Sequence, residues 1–199
     1  MIDPRGLLEV ANELAKLDST KPRQAALRRA VSTAYYALFH ALIQAALIEH
    51  IHADPASPVA HQAARWFEHG KMRKVCEEIL RWADAKPPPP RPAADAPAEA
   101  HKKWEHQRDT QPRLLRSLGG AGERPSPELR RVAECFVSLY GARMQADYDP
   151  AFRLARDTAR AHVGTARIGF EQLAASAKDP TRKLFLLLLL TSTDLVPGK

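Results

Sequence analysis

Through most of the chain apolar residues return every three or four positions, the spacing that stacks side chains on one face of a helix. No stretch alternates apolar and polar residues long enough to read as a strand. The first stripe is Leu7, Leu8, Ala11, Leu14 and Ala15, on a helix expected from Pro4 to Leu17. Asp3 is placed to cap it, and Pro4 suits the first helical position because the N–H it lacks has no partner inside a helix. A second helix is expected from Pro22 to Glu49, with Thr20 or Ser19 as its cap. Ala26, Ala30, Ala34, Ala37, Ala41 and Ala45 give it a row without bulk, against which another helix backbone can lie close. A neighbouring face carries Arg29, Ser32, Thr33, Tyr36 and His40 at helical spacing.

Beyond the break HADPASP, a single helix is expected from Pro58 to Ala83, including Trp66, Phe67, Met72, Val75, Ile79, Leu80 and Trp82. Residues 85–127 differ in kind. The run KPPPPRPAADAPAEA favours extended polyproline backbone, HKKWEHQRD fits a helical turn, and SLGGAGERPSP reads as a loop with Trp104 left as the segment's one large apolar anchor. Helices resume from Pro127 to Ala146 behind the cap Ser126, and from Pro150 to Ala177 behind the cap Asp149. A last short helix is expected from Asp179-Pro180. The pattern therefore predicts an all-α, up-and-down bundle of four to five long helices in one domain over 1–199, with 86–124 a Pro-rich mobile insertion and 180–199 an apolar C-terminal tail.

Composition agrees with helix, since Gly is scarce and Ala and Leu abundant. The formal net charge of +7 favours an anionic partner such as RNA or a nucleotide, although a basic surface kept for solubility would read the same way. Cys76 and Cys135 lie among apolar residues and read as two buried free thiols in a reducing cytoplasm. The start MIDPRGLLEV has no basic, apolar leader pattern, and the apolar run Leu184 to Leu190 is far shorter than the roughly 20 residues of a membrane span. A soluble, cytoplasmic protein without a membrane partner is expected. A phosphate-cradling Gly loop, HExxH and Gly-x-Ser-x-Gly are all missing, and His50 and His52 alone make no metal site, so neither metal nor cofactor is expected.

Two segments carry the candidate chemistry. In AYYALFH (Ala34 to His40), Tyr36 and His40 are neighbours on one helix face, with Arg29 two turns earlier. In RMQADYDP (Arg143 to Pro150), Asp147 stands four residues after Arg143, a spacing that suits an ion pair, and Tyr148 is expected to pack into the core at the corner. Taken singly, each segment is also explained by core packing and local polar contacts. Arg65 and His69 are four apart on the expected third helix, and read as cleft residues or as a surface pair near Glu68.

Taken together and in this order, AYYALFH and RMQADYDP resemble the HEPN family (higher eukaryotes and prokaryotes nucleotide-binding). The resemblance covers roughly residues 5–85 and 126–178, leaving out the Pro-rich insertion and the Leu-rich tail. It implies a HEPN-like helical bundle, commonly a homodimer, with Arg29, Tyr36, His40, Arg143, Asp147 and Tyr148 shaping and supporting a cleft. Many such proteins are metal-independent ribonucleases of toxin–antitoxin and defence systems. Others are non-catalytic and bind nucleotides or small nucleotidyltransferases, so an antitoxin or a nucleotidyltransferase is an expected partner. A helical scaffold or interaction protein is the further alternative.

The nuclease members carry Arg-x(4–6)-His near the last long helix, often with a polar residue after the Arg. This chain has Arg156 and His162, with Asp157 and Arg160 between them. The resemblance implies that His162 would move a proton at the ribose 2′-hydroxyl or the leaving oxygen, and Arg156 would stabilise charge on the phosphate. On an ideal helix six residues turn about 600°, leaving the two side chains about 120° apart. They would meet across a dimer interface or through a long Arg rotamer. Arg153, Arg156, Arg160 and Arg167, approached by Arg130-Arg131, form a basic stripe that suits phosphate contacts or a solvated face equally.

Overall fold

The computed structural model of the chain describes residues 2–17, 23–86, 90–109 and 124–191. Thr20 and Ser19, expected as caps, fall outside these residues, as does most of SLGGAGERPSP. Among the described residues the regular structure is all helical, as expected. The elements are α1 (Pro4–Lys16), α2 (Gln24–Ile51), α3 (Pro58–Ala64), α4 (His69–Asp84), α5 (Ala98–Asp109), α6 (Pro127–Tyr148), α7 (Arg156–Ala175), a 3₁₀ turn at Ser176–Lys178, and α8 (Pro180–Thr191).

α2 is the axis of the bundle. α1, α6, α7 and α8 all pack on it, and its buried residues run from Leu27 to Leu47 around every face. By length and composition α2 is apolar enough to cross a membrane, a property it shares with the central helix of a bundle. Here four neighbouring helices take up that surface. α7 lies tight against α2 at Gly169, where a Cβ would stand 2.8 Å from Leu38 Cδ2 and 3.4 Å from Cys135 Cβ. Both cysteines are buried and free.

Several boundaries follow the sequence because local chemistry sets them. Asp3 accepts from the Arg5 amide at 3.0 Å ahead of Pro4, and Ser126 accepts from the Leu129 amide at 3.2 Å ahead of Pro127. Asp179 ties the starts of α6 and α8 together. It accepts from the Ser126 amide at 2.9 Å, the Thr181 amide at 2.7 Å and the Thr181 hydroxyl at 2.7 Å, which together hold its carboxyl below the usual range despite burial. Phe185, Leu186, Leu188 and Leu189 then bury the apolar tail against α2 and α4, with Arg182 on Glu49 at 2.7 Å.

Three expectations need correction. The single helix from Pro58 to Ala83 is two helices, broken at residues 65–68, where Glu68 is extended (φ −110°, ψ 128°). The break turns Phe67 into the core, leaves Trp66 59% exposed, and carries His69 onto α2. The helix expected from Pro150 starts only at Arg156. Asp149 caps a single turn, accepting from the Ala151 amide at 2.9 Å. The next residues are claimed by α2, because Gln24 clamps Leu154 by its amide (2.9 Å) and its carbonyl (3.0 Å), groups a helix would need for its own ladder. Finally, HKKWEHQRD is part of the full helix α5, where Arg91 lies 5.8 Å from the Trp104 ring. The insertion leaves and returns at one end of the bundle. Arg124 donates to the Ala85 carbonyl there, and Arg130 pairs with Asp84 at 2.9 Å.

Candidate functional site

The two segments singled out in the sequence meet where α2 crosses the end of α6, and Arg143 joins them. Arg143 is 9% exposed. A guanidinium so far out of water has to recover its lost hydration from protein groups. Its Nη2 donates to the Tyr36 hydroxyl at 3.1 Å and to the Tyr148 hydroxyl at 3.2 Å, and its Nε pairs with Asp147 Oδ2 at 2.8 Å. The other Asp147 oxygen accepts from the Ser32 hydroxyl on α2. The guanidinium carbon also lies 5.1–5.9 Å from the ring centres of Tyr148, Tyr36 and Tyr35. Burial works against the Arg143 charge, yet the phenolic oxygens of Tyr36 and Tyr148 and the Asp147 carboxylate outweigh it and hold its pKa above the ordinary value. The expected ion pair is therefore present, and it is also the staple between two helices 107 residues apart at their closest bond.

Tyr148 does not enter the core. α6 continues past Ala146 to Tyr148 itself, so the ring stays 63% exposed, with its hydroxyl anchored on Arg143. Tyr36 and His40 are half-buried one turn apart on α2, with ring centres 6.4 Å apart.

His69 belongs to the same cluster, and sequence reasoning placed it beside Arg65 on one helix instead. Its Nδ1 lies 2.8 Å from the Tyr35 hydroxyl, and its ring centre lies 4.2 Å from that of Phe39 at a tilt and 5.6 Å from that of Tyr36 edge-on. Burial, and then the Arg143 charge, push the His69 pKa below its ordinary value. Burial, and then His69, do the same for His40. Both imidazoles therefore sit neutral at pH 7, His69 beside the permanent Arg143 cation. Burial pushes the Tyr35 phenol far upward, so it stays protonated and suits the donor role toward His69.

Arg29 was expected in this line, and its neighbour Arg28 makes the contact across the corner. Arg28 donates to the Ala146 carbonyl at 2.6 Å and the Asp149 carbonyl at 2.9 Å, closing the C-terminus of α6 with a cation where a helix end is negative. Arg29 is exposed. Sequence spacing could not separate two adjacent arginines, because both face the same corner until the helix phase is fixed by the core.

Arg156 is the first residue of α7 and half-buried, and His162 is half-buried almost two turns on. Burial lowers the His162 pKa. Ala159 between them and Val163 just after His162 face inward, while Asp157 and Arg160 are exposed and 3.9 Å apart at their charged ends. The contacts of Arg143, Tyr36, Asp147 and Tyr148 reach neither Arg156 nor His162. The structure thus brings Tyr36, Arg143, Asp147 and Tyr148 into one bonded unit, sets His40 beside it, and leaves Arg29, Arg156, Asp157, Arg160 and His162 outside its bonds. Among the described residues no group of three or more His, Cys, Asp or Glu is placed to hold a metal ion. Comparison with protein-family models, with curated proteins and with solved structures returns no match.

Proposed function

We propose that this chain is a HEPN-type helical protein that cuts RNA without a metal ion, acting as a homodimer in a toxin or defence role. The observation that supports this reading is the Arg143 staple. The two segments that carry the family resemblance are bonded to one another through Arg143, Tyr36, Asp147 and Ser32.

In this reading the staple is architecture, and the chemistry belongs to α7. His162, whose pKa burial depresses, is neutral at pH 7 and can accept the proton of a ribose 2′-hydroxyl. The freed 2′-oxygen attacks phosphorus, the 5′-oxygen leaves and takes up a proton from water while His162 later returns its own to solvent, and a 2′,3′-cyclic phosphate remains. Arg156 offsets the charge that builds on the phosphate oxygens. Because Arg156 and His162 diverge around α7, each site would use Arg156 of one copy and His162 of the other.

The divergence also favours a second reading, a non-catalytic module of the same fold that binds a nucleotide or a nucleotidyltransferase. One assay separates them. Labelled RNA is incubated with the protein in EDTA, beside an Arg156→Ala/His162→Ala variant. The nuclease reading expects cyclic phosphate ends that need both residues. RNA left intact, or cut equally by the variant, removes it in favour of the binding module.

A further inference from the structure

Tyr148 is an exposed aromatic ring that is nonetheless held in place. Lone exposed aromatics on a surface usually rotate freely. This one has its hydroxyl fixed by Arg143 Nη2 at 3.2 Å and its backbone bracketed by Arg28, which binds the carbonyls of Ala146 and Asp149 on either side. The ring is thus presented to solvent at little further cost in side-chain entropy.

Its chain neighbours Ala146 and Asp147 line a groove of about 410 Å³ together with Gln24, Ala25, Arg28 and Arg29. Its charge is lopsided. The one carboxylate, Asp147, is already neutralised by Arg143 at 2.8 Å. Arg28 keeps its positive charge while donating to neutral carbonyls. Arg29 is exposed and makes no hydrogen bond or ion pair with the described residues. A held aromatic ring, its backbone bracketed by Arg28, beside a groove in which Arg28 and Arg29 face one already paired carboxylate supplies the elements used to hold an unpaired nucleotide, with the base stacked on the ring and the phosphate drawn to the cations.

We propose that the Tyr148 face and the Arg28–Arg29 groove form a subsite for one unpaired nucleotide of a single-stranded RNA, away from the bond that is cut. The subsite rests on the reading of the protein as one that acts on RNA, and supplies that reading with a preference for single strands. The ring takes any base, because every base has a π-face, so the subsite selects strand state and not sequence. Arg143 has a positioning role here. It holds the ring without touching the RNA.

The test is fluorescence anisotropy of the full-length protein with a labelled ten-nucleotide 2′-O-methyl RNA, which cannot be cut, against the same sequence annealed to its complement. Tyr148→Ala is expected to weaken single-strand binding about tenfold, while Tyr148→Phe, which keeps the ring but frees it from Arg143, falls between Tyr148→Ala and the parent. Arg29→Ala is expected to lower the slope of log affinity against log salt by about one. Adenosine monophosphate competing as well as the strand would assign the groove to a free nucleotide, overturning the RNA subsite. Unchanged affinity in Tyr148→Ala, or equal binding of single strand and duplex, would also overturn it. The fate of unmodified RNA in EDTA is read separately. Cutting that survives Tyr148→Ala alongside unchanged binding removes the subsite and leaves the nuclease. Tyr148-dependent binding without cutting removes the nuclease and leaves the subsite.

Discussion

Replacing Arg143 with Met tests the staple at its centre. Met keeps most of the length and apolar bulk and removes the charge. The change deletes two hydrogen bonds from a charged donor, to Tyr36 and Tyr148, and the 2.8 Å ion pair to Asp147. Hydrogen bonds to charged groups contribute about 1.5–3 kcal/mol each, and breaking a buried ion pair by removing one partner costs about 3–5 kcal/mol. Both figures need discounting. Asp147 keeps the Ser32 hydroxyl and has a side chain 26% exposed, and Tyr148 can turn its hydroxyl to water. Desolvation of the guanidinium is also relieved by its removal. The expected loss is about 2–4 kcal/mol, a fall in Tm of roughly 6–12 °C for a domain of this size. The assay is urea unfolding followed by circular dichroism, with the m-value required to match the parent. A cycle with Asp147→Asn isolates the pair, and a coupling of at least about 1 kcal/mol is expected. A loss under about 1 kcal/mol, or strictly additive variants, would refute the claim that Arg143 joins α2 to α6.

Arg28→Ala should cost about 1–2 kcal/mol in the same assay by uncapping the end of α6, whereas Arg29→Ala, on the exposed side, should stay within about 0.5 kcal/mol. Equal effects would contradict the assignment of the corner to Arg28. Gly164→Ala, with open space around the new methyl, should gain about 0.5–1 kcal/mol of helix propensity. Gly169→Ala should lose about 1–2 kcal/mol, because its Cβ would meet both terminal carbons of the fully buried Leu38 within 3 Å; a gain at both positions would mean that α7 does not press on α2 there. The pH dependence of stability follows from His40, His69 and His162, whose folded pKa values lie below the ordinary value near 6.5. The unfolded chain then binds more protons, so their contribution is complete above about pH 6.5 and is lost as pH falls toward the folded values. Urea midpoints at pH 7.5 and pH 5 should show the decline, and Tyr35→Phe/His69→Phe should reduce it; an unchanged decline would show that His69 takes up no proton on unfolding.

The helical fold was legible wherever the cause was local. Asp3 with Pro4 and Ser126 with Pro127 mark helix starts by chemistry contained within four residues, and the apolar spacing of α2 announces a helix wrapped by others. What could not be read was decided at long range. RWFE at 65–68 is acceptable helix sequence, and the chain breaks there because Phe67 and His69 find the core and Tyr35. Asp149-Pro150 has every local mark of a helix start, and Gln24, 130 residues away, takes the backbone of Leu154 instead. The site divides in the same way. The Arg143–Asp147 pair follows from a spacing of four, but its bonds to Tyr36 and the link from Asp147 to Ser32 needed the two helices in register. His69 was hidden by the break, and Tyr148 was misplaced because α6 runs to its very end.

Mixing two inactive variants shows whether Arg156 of one copy and His162 of another complete a metal-free RNA-cutting site. Arg156→Ala and His162→Ala proteins, unfolded and refolded together so that copies exchange, form mixed dimers with one intact site and one doubly damaged site. Cleavage of RNA in EDTA, absent from either variant alone, is expected to return in the mixture toward a quarter of the parent rate. That fraction follows if half of the dimers are mixed and each holds one of two sites. A mixture as inactive as its components, while the parent protein cuts RNA, would contradict it.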